Sequence, residues 1–202
     1  MICRLRWHLQ ELDPGWDPAP RSLTRRKTMM VVTARLAGMD GLTARLAAEL
    51  AARISALTAD VDALEREIAV LIRRLAPSLL AVPGVAELTA AKIAAQTADV
   101  RRFKSKDAYA RHNGTAPLPV WSGNQTRRRL SRTGKRQLNC AIHRIAVTQI
   151  RCHPPAQTYV KTRIAAGNTN REALRALKRR LSDTVYRALL ADGTPVPLRQ
   201  AA

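Results

Sequence analysis

Residues 42–75 read LTARLAAELAARISALTADVDALEREIAVLIRRL, and this stretch decides the fold class. Leu50, Ile54, Leu57, Val61, Leu64, Ile68, Leu71 and Leu75 recur at alternating steps of four and three residues. That is a heptad seam with Leu at every d position and Ile or Val at most a positions, the choice that suits a parallel two-stranded coiled coil. The flanks argue the other way, because Asp60 at g would face Glu65 at e across such a pair. Two readings therefore stand: a self-association seam, or an amphipathic helix packed on its own domain. Pro77 ends the helix on either reading.

Working outward, charge separates the chain into unlike parts. The helical stretch carries five acids (Glu49, Asp60, Asp62, Glu65, Glu67) and five bases (Arg45, Arg53, Arg66, Arg73, Arg74), so it is neutral. From Ala108 to Arg171 there is no Asp or Glu in 64 residues, against twelve Lys and Arg. The net charge of +20 is thus concentrated beyond the helix. A solvated surface is better served by mixed signs, so the acid-free half points to a phosphate backbone as partner. Aromatics make up only 3% of a composition rich in Ala and Leu, which favours helices over sheets. No apolar run approaches the ~18 residues of a membrane helix. The charged start shows no secretory leader, and three irregular cysteines make no disulfide framework, so an intracellular, reducing compartment is the expected location.

Residues 1–28 read as a helical lead-in followed by a linker, broken at Asp13-Pro14-Gly15 and Asp17-Pro18-Ala19-Pro20. The lead-in opens in mid-pattern, as the cut end of a longer element would. Residues 29–77 form the coiled-coil-type helix, 78–190 a compact helical domain, and 191–202 a flexible tail. In the third segment, Val82-Pro83-Gly84-Val85 between two helical runs is similar to a helix-hairpin-helix element. There Gly84 and the following helix N-terminus would hold a DNA phosphate. Ala86 stands where the second glycine of that motif belongs, so a structural turn is the competing reading. Ser105 can cap a short helix over 106–112. Asn113 to Pro119 then forms an irregular approach to Trp121-Ser122-Gly123. Helices follow over roughly 136–151 and 171–190, the second with its apolar stripe on Leu174, Leu177, Leu181, Val185 and Leu189 and with Lys178 largely outside it.

For chemistry, Cys140, His143, Cys152 and His153 lack the paired spacing of a zinc site, so no metal is assigned. The acid-free half has no carboxylates for two-metal phosphoryl transfer. Ser122 remains. It precedes Gly123 and stands just before Thr126, Arg127, Arg128, Arg129, Arg132, Lys135 and Arg136. A serine nucleophile at a phosphodiester needs charge stabilisation, which guanidinium groups supply by bidentate contact. On residue types alone, a phosphate-contacting turn explains the same pattern.

The ordered set from Ser122-Gly123 through Arg127-Arg128-Arg129 and Thr133-Gly134-Lys135-Arg136 to Asn139 resembles the C-terminal transposase domain of insertion-sequence family one-ten. So do Pro83-Gly84-Val85, Leu88-Thr89-Ala90, Arg102-Phe103 and Gly114-Thr115-Ala116-Pro117. Arg4 to Leu9 and His153-Pro154-Pro155 are similar to an actinobacterial-type branch. The resemblance covers nearly the whole chain.

It implies a mostly α protein, a long coiled-coil-type helix followed by a serine-bearing transposase domain. It also implies DNA recombination by assemblies of dimers guided by a structured bridge RNA. Ser122 matches the family's serine, which is implied to form a covalent phosphoserine link to DNA. The family's resolvase-type domain carries an Asp-Glu-Asp-Asp site for a divalent metal such as Mg²⁺, and no acid of this chain can be assigned to it. The expectation is a transposase fragment that binds DNA, and a guide RNA, but does not transpose alone. The alternative is a non-catalytic nucleic-acid-binding protein derived from a transposase. A basic coiled-coil scaffold is the third reading.

Overall fold

A computed structural model of the chain describes residues 1–122, 125–129 and 133–193, with side chains described outside 119–132. The fold is mostly α and divides into two compact units, Met1–Glu67 and Ile68–Ala202. No described helix is long and apolar enough to cross a membrane.

The first unit holds α1 (Ile2–Leu12), a 3-10 turn at Pro20–Ser22, α2 (Arg26–Leu36) and the larger part of α3 (Leu42–Leu75). Its core gathers Leu5, Leu9, Leu23, Met29, Val32, Leu36, Ala47, Ala51 and Ile54. The turn-rich stretch expected as a linker is packed: Leu23 is fully buried, and Arg6 pairs with Asp17 across it. The prolines and glycine set its turns, with Gly15 N–H donating to Asp13 Oδ1 at 2.9 Å, but a buried leucine ties it down.

The buried face of α3 in this unit is Ala44, Ala47, Ala51 and Ile54, at steps of three and four. Small alanines let neighbouring backbone approach closely, so in this unit the alanine face is buried together with Ile54 of the seam. Beyond Ile54 the seam stays open. Leu57, Val61, Leu64, Leu71 and Leu75 are 45%, 52%, 57%, 55% and 42% exposed, while Leu50 and Ile68 are half-buried.

The second unit contains α4 (Pro77–Leu80), α5 (Glu87–Thr97), a 3-10 turn at Val100–Arg102 and α6 (Lys106–His112). Two strands follow, β1 (Leu118–Ser122) and β2 (Gln125–Arg129), then α7 (Arg136–Cys152), α8 (Pro154–Ala165) and α9 (Asn170–Ala191). At the centre lies α7, whose Leu138, Ala141, Ile142, Ile145 and Ala146 are all buried. They recur at steps of three, one, three and one, the stripe that a 3.6-residue period puts on one face. Onto it pack α5, α8 and α9.

Local chemistry fixes the helix ends. Ser105 Oγ accepts from Ala108 N at 3.2 Å, and Thr169 with Glu172 forms a reciprocal capping box at the start of α9. Asp192, just past α9, receives Ser78 N at 2.7 Å and Leu79 N at 3.1 Å, and so caps the proline-started α4 from 114 residues away.

Three further features differ from the sequence expectation. The helix expected over 29–77 is two helices, α2 ending at Leu36 and α3 starting at Leu42. The approach to Ser122 is not irregular: 118–122 and 125–129 form an antiparallel hairpin. Proline sits in β1 at Pro119, a residue type confined to edge strands, and a two-stranded sheet has only edges. Of the stretch 191–202, expected as a tail, Ala191 belongs to α9, and 194–202 lie outside the described residues.

Candidate nucleic-acid interface

The hairpin places Ser122 at the last residue of β1, opposite Gln125. Its register pairs Trp121 with Thr126, Val120 with Arg127, Pro119 with Arg128 and Leu118 with Arg129. Three consecutive arginines therefore occupy the strand that runs antiparallel to the one ending in the serine, within about 17 Å of extended chain. Gly123 and Arg132, both expected at a phosphate, lie outside the described residues.

What holds the hairpin is a tight crossing at its base. An added Cβ at Gly134 would lie 2.2 Å from Gly114 N and 2.3 Å from Gly114 Cα, so the two backbones touch. Gly114 itself has φ +73°, a left-handed turn that glycine enters freely. Lys135 N–H donates to His112 O at 2.7 Å, and Thr115 N–H and Ala116 N–H both donate to Ala110 O, at 2.9 and 3.0 Å. The chain segments before β1 and after β2 are thereby joined directly.

Behind the crossing lies a buried polar network. Asn113, fully buried, accepts at Oδ1 from Thr115 N (3.0 Å) and Thr115 Oγ1 (2.6 Å) and donates to Ser182 Oγ at 2.7 Å. Asn139 Nδ2 donates to Asn113 O at 2.9 Å, and Lys178 Nζ donates to Asn139 Oδ1 at 2.6 Å. Lys178 is 8% exposed, a correction to its expected place outside the apolar stripe of α9. Its burial pushes the amine below the usual lysine range.

Of the remaining expected contacts, Lys135 is engaged in the fold, its Nζ donating to Gln96 O at 3.2 Å near the end of α5. Arg136 is exposed at the first residue of α7. No side chain caps that helix start, and no acid stands in its first turn. A cation there opposes the helix dipole by about 0.3–1 kcal/mol, a cost that a bound anion reverses.

Gly84 adopts φ +82° in the turn between α4 and α5, and its absent Cβ would meet Gln149, Ile145 O and Thr148 of α7 at 3.4 Å. Gln149 Nε2 donates to Pro83 O at 2.6 Å, which locks the turn onto α7. Glu87 occupies the first turn of α5 and pairs with Arg73, whose hydrogen bond holds the carboxyl below its usual range. The packing and the neighbouring carboxylate give this turn a structural job.

The acids of the second unit are Glu87, Asp99, Asp107, Glu172, Asp183 and Asp192. Glu87 pairs with Arg73, Asp99 with Arg101, and both Asp107 and Asp183 with Arg179, while Glu172 and Asp192 serve as caps. None is spare for a metal, and among the described residues no three His, Cys, Asp or Glu cluster to hold one. These residues do not fit a divalent-metal centre for phosphoryl transfer.

Sequence reasoning missed the Gly114–Gly134 crossing and the Lys178 network. The signal was present in part: Asn113-Gly114 and Thr133-Gly134 bracket the hairpin in the chain, and paired glycines mark close backbone approach.

The described residues form a helical scaffold carrying a small hairpin, with a serine ending one strand and three arginines along the other. Residues 76–161 match the family described as Transposase IS116/IS110/IS902 family. The chain is also 32% identical, over 148 residues, to the insertion element IS110 uncharacterized 43.6 kDa protein of Streptomyces coelicolor. That alignment takes in 72% of this chain and 36% of the relative, so the chain spans about a third of the relative's length.

Proposed function

We propose that this chain is the DNA-binding, serine-bearing part of a transposase, and that Ser122 is the nucleophile of strand exchange. The observation that carries the reading is the hairpin register, which sets Ser122 at the end of one strand with Arg127, Arg128 and Arg129 along the other. In the proposed step Ser122 Oγ attacks a DNA phosphorus and gives up its proton to a base. A phosphoserine bond forms as one phosphorus–sugar oxygen bond breaks, and the departing oxygen takes up a proton. Arg127, Arg128, Arg129, Arg132 and Thr126 would contact the phosphate oxygens, with Arg136 and the uncapped start of α7, a few residues further along the chain, as additional contacts. Gly123 lets the DNA backbone approach the serine. Any metal chemistry of the reaction belongs to a resolvase-type domain whose Asp-Glu-Asp-Asp set this chain's acids do not supply, so this chain alone is proposed to be inactive. A guide RNA is a second polyanion the same basic surface would accept, and the nucleoid is the place such a protein works.

The test is covalent trapping on DNA with that domain supplied in trans. A Ser122-dependent protein–DNA adduct supports strand exchange. Binding with no adduct leaves the non-catalytic nucleic-acid-binding reading. Binding itself has its own signature: with five cationic phosphate contacts, affinity is expected to fall about 500-fold between 50 and 200 mM salt, read by fluorescence anisotropy. A flat salt response overturns the phosphate contacts and favours a basic scaffold.

The open seam of α3 supports self-association. Five large apolar side chains from Leu57 to Leu75 lie about half exposed at heptad spacing, and each would contribute about 0.7–1.5 kcal/mol on burial against a second copy. Val61→Asp with Leu64→Asp is expected to weaken a dimer by at least 100-fold in sedimentation equilibrium while leaving the helical circular dichroism intact. A monomeric wild-type chain at tens of micromolar would sink the seam.

A further inference from the structure

We propose that Lys178 is a positioning residue: acting through Asn139 and Asn113, it fixes the base of the β1–β2 hairpin and thereby the place from which Ser122 acts. The functional half of this statement rests on the Ser122 reading above; the anchoring half stands on geometry alone.

The hairpin depends on its base. Among the described residues, the main backbone neighbour of each strand is the other strand. A two-stranded ribbon is marginal by itself in water, so its placement must come from where it joins the scaffold. That junction is the Gly114–Gly134 crossing, and the carbonyl immediately before Gly114, Asn113 O, receives Asn139 Nδ2 at 2.9 Å. Asn139 lies five residues after Gly134, so one side chain ties the outgoing segment to the incoming one.

Lys178 decides how that tie is made. An amide has one donor end and one acceptor end, and an ammonium only donates. With Lys178 Nζ at 2.6 Å from Asn139 Oδ1, the Nδ2 end must face Asn113 O. A reversed amide would set two acceptors against each other at Asn113 O and two donors at Lys178. Around it, Cys140 and His143 lie one and four residues beyond Asn139 on α7, and Ser182 lies one turn after Lys178 on α9. No carboxylate pairs with Lys178 among the described residues. A buried ammonium without a carboxylate is costly to desolvate, and that cost offsets much of what its one hydrogen bond to Asn139 contributes, so the net stability is small. Its use here is therefore orientation and not stability.

The test compares wild type, Lys178→Met and Lys178→Arg in the full chain, by hydrogen–deuterium exchange and thermal melting. In Lys178→Met the backbone amides of 118–129 are expected to exchange about tenfold faster, with α7 amides 141–146 within twofold and no fall in melting temperature. Lys178→Arg, still a donor-only cation, is expected to restore slow exchange in the hairpin. Unchanged hairpin exchange in Lys178→Met overturns the proposal. So does a uniform acceleration through α7 and α9, which would make Lys178 a general structural residue.

Where wild type forms the Ser122 adduct, Lys178→Met is expected to lower its yield about tenfold at unchanged DNA affinity; an unchanged yield overturns the functional half. Should wild type form no adduct, the Ser122 reading fails with that half, and the exchange pattern alone decides the anchoring.

Discussion

Gly134→Ala is expected to cost the second unit more than about 3 kcal/mol and to lower its melting temperature by on the order of 10 °C. The added Cβ would stand 2.2 Å from Gly114 N, 2.3 Å from Gly114 Cα and 2.8 Å from Asn113 C. All three are backbone atoms, so no side chain can swing aside. Moving the Gly114 segment would break the Lys135–His112 bond at 2.7 Å and the paired bonds onto Ala110 O. Gly134 does not adopt a positive φ, so the cost is contact alone and not lost backbone freedom. Gly38→Ala is the control: its Cβ would meet Arg35 O at an ordinary 3.8 Å, and a shift under 0.5 kcal/mol is expected. Calorimetry on both variants checks this; an unshifted Gly134→Ala transition would mean that the crossing is not closed in solution.

Ser122→Ala is expected to abolish the covalent DNA adduct, a loss of about 10⁴-fold or more, while changing DNA affinity by less than about tenfold. The asymmetry follows from what one hydroxyl contributes. As a ligand contact it is a single hydrogen bond among many ionic ones, whereas as the nucleophile it is the atom that forms the new bond. Affinity should instead fall with Arg127→Ala or Arg128→Ala, each removing about one unit from the salt slope. The measurement is a denaturing gel beside a binding isotherm for each variant. Equal adduct from wild type and Ser122→Ala would place the nucleophile elsewhere.

The long helix, the capped α6, and helices α7 and α9 were legible because each carries a signal the backbone itself imposes: a 3.6-residue stripe, a Ser at the cap, a proline at the break. The helix α8 carries no such stripe, with only Ala156 buried, and its Pro154-Pro155 start offers no apolar pattern to follow. The hairpin was hidden for a different reason. A half-buried strand announces itself by alternation, but β2 is Gln-Thr-Arg-Arg-Arg and β1 contains a proline, so neither alternates apolar with polar.

Ser122 and its arginines were visible as residue types, and the register that aligns them was not. Lys178 illustrates the same gap. A lysine in a helix reads as solvated because the ammonium is costly to bury, and only tertiary context shows an amide waiting for it. The seam of α3 was legible as a pattern, but its first turns turned out to bury alanines alongside it, a substitution of close approach for bulk that spacing does not reveal.

The Asp192 cap has an architectural consequence. Because the carboxylate just past α9 holds the first amides of α4, the segment from Ser78 to Asp192 begins and ends at one place, 2.7 Å apart at the bond itself. A module whose termini meet can be spliced into a host loop, or circularly permuted across that point, without stretching anything inside it. The serine hairpin lies in the interior of this loop of chain, far in sequence from both ends. An insertion made where Ser78 meets Asp192 would therefore leave the hairpin and its anchorage as they are.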